Sequence, residues 1–136
     1  MSAKTGWAEI QHTADRALKV WAPDFQQLLQ AAALGMYQLM EVDLSGGSLD
    51  VRELSINAPD DESLLVNFLN ELLFLLESER VGFYRFEFSI HNRELCATIH
   101  GSRVIRQARE IKAVTFHNLK LRRTEDGLST VVIFDV

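Results

Sequence analysis

Apolar residues recur at helical spacing in two stretches of the chain and at strand spacing through much of the remainder. Phe25, Leu28, Leu29, Ala32, Met36 and Met40 fall at i, i+3, i+4 steps, which lays one apolar face along a helix. Pro23-Asp24 announces its start. Asp24 is the N-cap, and Gln27 stands at the capping-box distance three residues on. Pro59-Asp60 announces a second helix over about residues 61–79, with Leu65, Phe68, Leu69, Leu72, Leu73 and Leu76 on one face. Leu64, Phe74 and Leu75 widen that stripe and predict a well-buried helix, while Asn67, Asn70, Glu71 and Glu77 spread over its other faces.

The strand signals lie around these helices. Residues 7–11 and 16–22 read as short strands joined by the polar link His12-Thr13-Ala14-Asp15. Residues 51–58 form another, with Leu54, Ile56 and Ala58 on one side, after a loop at residues 43–50. Alternation over 83–90 places Tyr84, Phe86, Phe88 and Ile90 together, His91-Asn92-Arg93 turns the chain, and residues 94–100 return. After a charged connection, strands are predicted over about 111–123 and 128–135, joined at Glu125-Asp126-Gly127. The sum is one α+β domain over residues 1–136, two helices packed on a largely antiparallel sheet in two layers.

Composition narrows the function classes. Apolar residues at 47% and charged residues at 24% are ordinary for a globular chain. Cys96 is the only cysteine, so no internal disulfide forms. The net charge of −5 argues against tight direct binding of RNA phosphates, although Arg103, Arg106, Arg109, Arg122 and Arg123 cluster locally. The first residues lack an apolar signal core, and the apolar runs stop short of the ~18 residues of a membrane span. A cytoplasmic protein with no membrane association is expected.

Candidate chemistry is sparse. The histidines His12, His91, His100 and His117 lack metal-ligand spacing, and there is no phosphate-binding loop or G-x-G-x-x-G. Asp15 lies in a link where aspartate commonly forms a turn. Asp135 ends the apolar run Val131-Val132-Ile133-Phe134, and Val136 follows with an α-carboxylate. Two readings stay open: a solvated chain end, or anionic groups held close around a cation. Lys112 interrupts an apolar strand, either as a solvent-facing residue or as a cation beside carboxylates.

Four segments together are informative: His12-Thr13-Ala14-Asp15, Leu65-Val66-Asn67-Phe68-Leu69-Asn70-Glu71-Leu72-Leu73, Glu110-Ile111-Lys112-Ala113-Val114-Thr115-Phe116-His117, and Ile133-Phe134-Asp135-Val136. In order and spacing they resemble the archeases over about residues 8–136. Phe68 stands where many archeases have tryptophan and Asn67 where an aspartate is common. The arginine-rich connection 103–110 lacks an expected histidine.

The resemblance implies a compact α+β fold and a non-catalytic role as protein cofactor of an RtcB-type RNA ligase. Such a cofactor promotes guanylylation and multiple turnover in tRNA splicing or RNA repair, and meets RNA only through the ligase. It also implies a divalent-cation site formed by Asp15, Asp135 and Val136, with Lys112 among the residues the family needs. Oxygen-only ligands favour Ca²⁺, with Mg²⁺ or Mn²⁺ as alternatives. A monomer is expected. The competing expectations are a metal-dependent hydrolase using the same carboxylates and a general chaperone-like binding module.

Overall fold

The computed structural model describes residues 4–10, 15–47 and 49–136. Its elements follow in the order β1 (Gly6–Ile10), β2 (Arg16–Ala22), α1 (Phe25–Leu39), β3 (Val42–Leu44), β4 (Asp50–Asn57), α2 (Asp61–Glu79), β5 (Val81–His91), β6 (Glu94–Gln107), β7 (Ala113–Thr115), β8 (Arg122–Thr124) and β9 (Gly127–Asp135). The expected α+β arrangement is present, with two helices on antiparallel strands, but the strands divide into two sheets where one was expected. One sheet runs β1-β2-β9-β7, with β8 also paired to β9. The other centres on β6, which pairs with β3, β4 and β5.

Both helices start as their sequences predict. Asp24 accepts from the Gln27 N–H at 2.8 Å, and the Gln27 carboxamide donates to the same carboxylate at 2.9 Å. Asp60 accepts from the Ser63 N–H at 2.7 Å, which holds its carboxyl below the usual carboxylate range. These bonds satisfy backbone donors that a helix start leaves without partners. α2 stops at Arg80 in the left-handed conformation, with φ 55°.

One hydrophobic core joins the helices to both sheets. Gly35 brings α1 close to the first sheet: a Cβ there would lie 2.7 Å from both Trp7 and Leu18. On the other side, fully buried Phe68 meets Phe86 and Phe88 edge-on, at ring distances of 6.1 and 5.5 Å.

Three strand expectations are corrected. Tyr84 leaves the face shared by Phe86, Phe88 and Ile90, because the register shifts between Phe83 and Arg85. This bulge buries Phe83 and exposes Tyr84. Next, β6 passes residue 100 and reaches Gln107. Gly101, which looks like a strand end, is required within it, since a Cβ there would collide with the Gly82 carbonyl. Finally, the strand expected over 111–123 is two short strands. Asn118 is left-handed at φ 53°, and Leu119 N–H bonds the Phe116 carbonyl at 3.1 Å, so the chain turns between them. β3 went unread in the sequence, and Phe74 is 61% exposed, not part of the buried stripe of α2. Among the described residues, no helix is long and apolar enough to cross a membrane.

Tyr37 is buried, and desolvation pushes its hydroxyl pKa upward. The hydroxyl lies near the Phe83 backbone, yet it makes no full hydrogen bond among the described residues. A buried hydroxyl left in this state is a liability. Tyr37→Phe is therefore expected to leave stability unchanged or raise it by up to about 1 kcal/mol, read by urea denaturation.

Candidate functional site

Sheet register decides which of the sequence-predicted residues meet. β9 is the central strand of its sheet. On one side Arg16 pairs with Phe134 and Ala17 with Ile133. On the other, Ala113 pairs with Asp135, Val114 with Phe134 and Thr115 with Ile133. Asp15 therefore stands one residue beyond the last pair of β2 with β9, beside Asp135. Lys112 continues the opposite ladder, its N–H donating to the Asp135 carbonyl at 2.8 Å. One end of the sheet thus gathers Asp15, Lys112, Asp135 and Val136, from three separate stretches of chain. His12, Thr13 and Ala14, the rest of the predicted link, lie outside the described residues.

Alternation places the carboxylates relative to the core. Phe134 is fully buried on the helix side, as is Val132 two residues earlier. Asp135 is exposed, and Asp15 is half-buried. Lys112 is exposed between buried Ile111 and half-buried Ala113. Val136 is 41% exposed.

Residues that the sequence did not single out hold this end in place. Arg16, next to Asp15, donates to the Leu39 carbonyl at 2.7 Å and pairs with Glu9 at 3.0 Å. The last turn of α1 has no basic residue of its own, so Arg16 supplies the positive charge that favours a helix C-terminus. Asn70, read in the sequence as one of several scattered polar positions, makes two bonds to one residue of β7. Its carboxamide N–H donates to the Val114 carbonyl at 3.1 Å, and its oxygen accepts from the Val114 N–H at 2.9 Å. No sequence pattern marks such a contact, because the helix and the strand meet only in the fold. A separate cleft of about 710 Å³ lies between β1 and the end of α1 and is lined in part by Trp7, Trp21, Arg16 and Arg109. None of the four predicted site residues lines it.

The donor set can be weighed against a metal. Among the described residues no three His, Cys, Asp or Glu side chains come together as a metal cluster. Asp15 and Asp135 supply two carboxylates, and Val136 adds main-chain oxygens. This all-oxygen set suits a hard cation that completes its shell with water, and it does not suit tetrahedral zinc.

The Archease protein family model matches residues 7–136. The protein archease of Methanosarcina barkeri is 32% identical, with 93% of each chain covered, and that of Pyrococcus abyssi is 30% identical, with 89% of this chain and 91% of the relative covered. A crystal structure from Thermotoga maritima, described as an archease and possible chaperone, is 26% identical at TM-score 0.71, covering 93% of this chain and 94% of that one. The solution structure of a Methanobacterium thermoautotrophicum protein is 25% identical at TM-score 0.72, with 96% and 99% covered.

If Asp135 helps to hold a cation, millimolar Ca²⁺ raises the thermal midpoint of the natural protein, since a ligand bound only by the folded state stabilises it. Asp135→Asn is expected to lose that rise while matching or exceeding the natural midpoint in EDTA. Differential scanning calorimetry in the two buffers reads both effects.

Proposed function

We propose that this chain, which belongs to the archease family, is a non-catalytic protein cofactor of an RtcB-type RNA ligase, promoting its guanylylation and repeated turnover. The observation that supports the reading is the convergence of Asp15, Lys112, Asp135 and Val136 at one sheet end. These are the positions that the resemblance to archeases marks. Asp15, Asp135 and Val136 would hold a divalent cation, most suitably Ca²⁺, with Mg²⁺ or Mn²⁺ as alternatives. A bound cation there supplies positive charge that can neutralise phosphate oxygens during nucleotidyl transfer.

The chain's own part is to present these groups on a firmly held edge. Lys112, tied to Asp135 through its backbone N–H, would bring a flexible cationic side chain to the same end of the sheet, able to meet a phosphate. The overall charge of −5 fits contact with a ligase better than direct capture of RNA, so the RNA is reached through the partner. The place of action in this reading is the cytoplasm, and the working form is a monomer.

A second reading, a chaperone-like binding module, draws on the description of the Thermotoga maritima relative and on exposed apolar residues. Phe74, Tyr84, Ile105 and Phe116 are each about half exposed or more. A hydrolase is less favoured, because two-metal chemistry calls for more ligands than the described residues bring together.

Multiple-turnover RNA ligation by an RtcB-type ligase with GTP and Mn²⁺ tests the leading reading. The natural protein is expected to stimulate turnover, and Asp135→Ala to lose most of that stimulation. Equal stimulation by the variant sinks the carboxylate site. No stimulation of a cognate ligase, together with suppressed aggregation of unrelated proteins, favours the chaperone reading.

A further inference from the structure

β7 has three residues, too few for its pairing with β9 to fix it firmly. It is also the last strand on its side of the path β1-β2-β9-β7. A backbone at such an edge faces outward with N–H and C=O groups that need partners. Val114 finds both in Asn70, whose carboxamide carries one acceptor and one donor as a peptide group does. Asn70 therefore stands in for the missing neighbouring strand. A second residue of α2 acts further along the same segment, where the Glu62 carboxylate accepts from the Leu121 N–H at 3.3 Å.

The consequence reaches the carboxylate end. Lys112 lies two residues before Val114, and its N–H bond to the Asp135 carbonyl is the outermost link between this segment and β9. If Val114 drifts from its register, that link is the next to open. We propose that Asn70 is a positioning residue for the site: by clamping Val114 it holds Lys112 against Asp135 and fixes the end of β9. Where the proposal concerns cation binding it rests on the reading above. Where it concerns the Lys112–Asp135 link it stands alone.

Amide hydrogen exchange followed by NMR on the full chain tests it, in the natural protein and in Asn70→Ala. Asn70→Asp, of the same shape but lacking the donor, is the second variant. Asp60→Ala, which removes the α2 N-cap away from β7, is the control for general weakening of the helix. Asn70→Ala is expected to speed exchange at Val114 and Lys112 by about tenfold or more while core amides of β2 stay protected. Asn70→Asp, which keeps the acceptor for the Val114 N–H but sets a carboxylate oxygen against the Val114 carbonyl, is expected to speed exchange at Lys112. The control is expected to leave Lys112 unchanged.

Titration with Ca²⁺ alone is the companion measurement, with affinity expected to fall about tenfold in Asn70→Ala and to hold in Asp60→Ala. Unaltered Lys112 exchange in both Asn70 variants overturns the proposal, as does equal loosening of Lys112 by the control. Failure of the natural protein to take up Ca²⁺ overturns the cation reading alone, and the exchange rates then decide the role of Asn70.

Discussion

The pairing of β9 with β2 is the constraint on which the rest of the molecule depends. β9 bonds to β2 along one edge and to β7 and β8 along the other, so the strand formed last in sequence is central in its sheet. Its inner residues Val132 and Phe134 are fully buried against the helices. A slip of one residue would turn them to solvent and bring Asp135 to the helix side, so burial fixes the register strongly. The same register places Asp135 beside Asp15 and Ala113. Hydrophobic packing on one face thereby sets the position of charged groups on the other.

α2 has two roles that are separable along its surface. Its apolar face fills the core, with Phe68 wedged against the paired rings of Phe86 and Phe88. Its flank carries Asn70, which reaches the backbone of β7, and Glu62, which reaches Leu121 just before β8. α1 has a comparable division. It packs on β1 and β2 through Gly35, and its end receives Arg16 from the start of β2. Each helix thus buries apolar surface and also ties down one of the strand ends that carry the candidate site.

Much of this was legible in the sequence because helices and alternating strands announce themselves locally. Residues 61–79 read as α2 from Pro59-Asp60 and an unbroken leucine stripe. The failures are also physical. Tyr84 sits at a bulge next to the close approach of Gly101 to the Gly82 carbonyl, a register shift between two strands that alternation within one strand does not reveal. Phe74 belongs to the leucine-rich stretch by composition, yet it lies on a side of the helix that nothing in the described fold covers. The candidate site divides in the same way. Asp15, Lys112, Asp135 and Val136 were visible through resemblance, and their adjacency follows from pairing that no single segment encodes. Arg16 and Asn70 were not singled out, because the contacts by which they hold α1 and β7 are to the backbone of Leu39 and Val114, which leaves no mark on residue identity.

The central position of β9 has a bearing on how the molecule comes into being. The hairpin of β5 and β6 joins neighbours in sequence, and together with β4 and α2 it draws on the middle of the chain. That part can begin to organise while the polypeptide is still being made. The sheet holding the carboxylates cannot, because β2 must wait, its long edge unpartnered, until β9 has been synthesised. The nascent chain thus spends most of its translation with Leu18 and Val20 lacking their strand partners Val132 and Thr130. The carboxylate end consequently forms only once β9 has been made, and its presence on a molecule reports that the first sheet has closed.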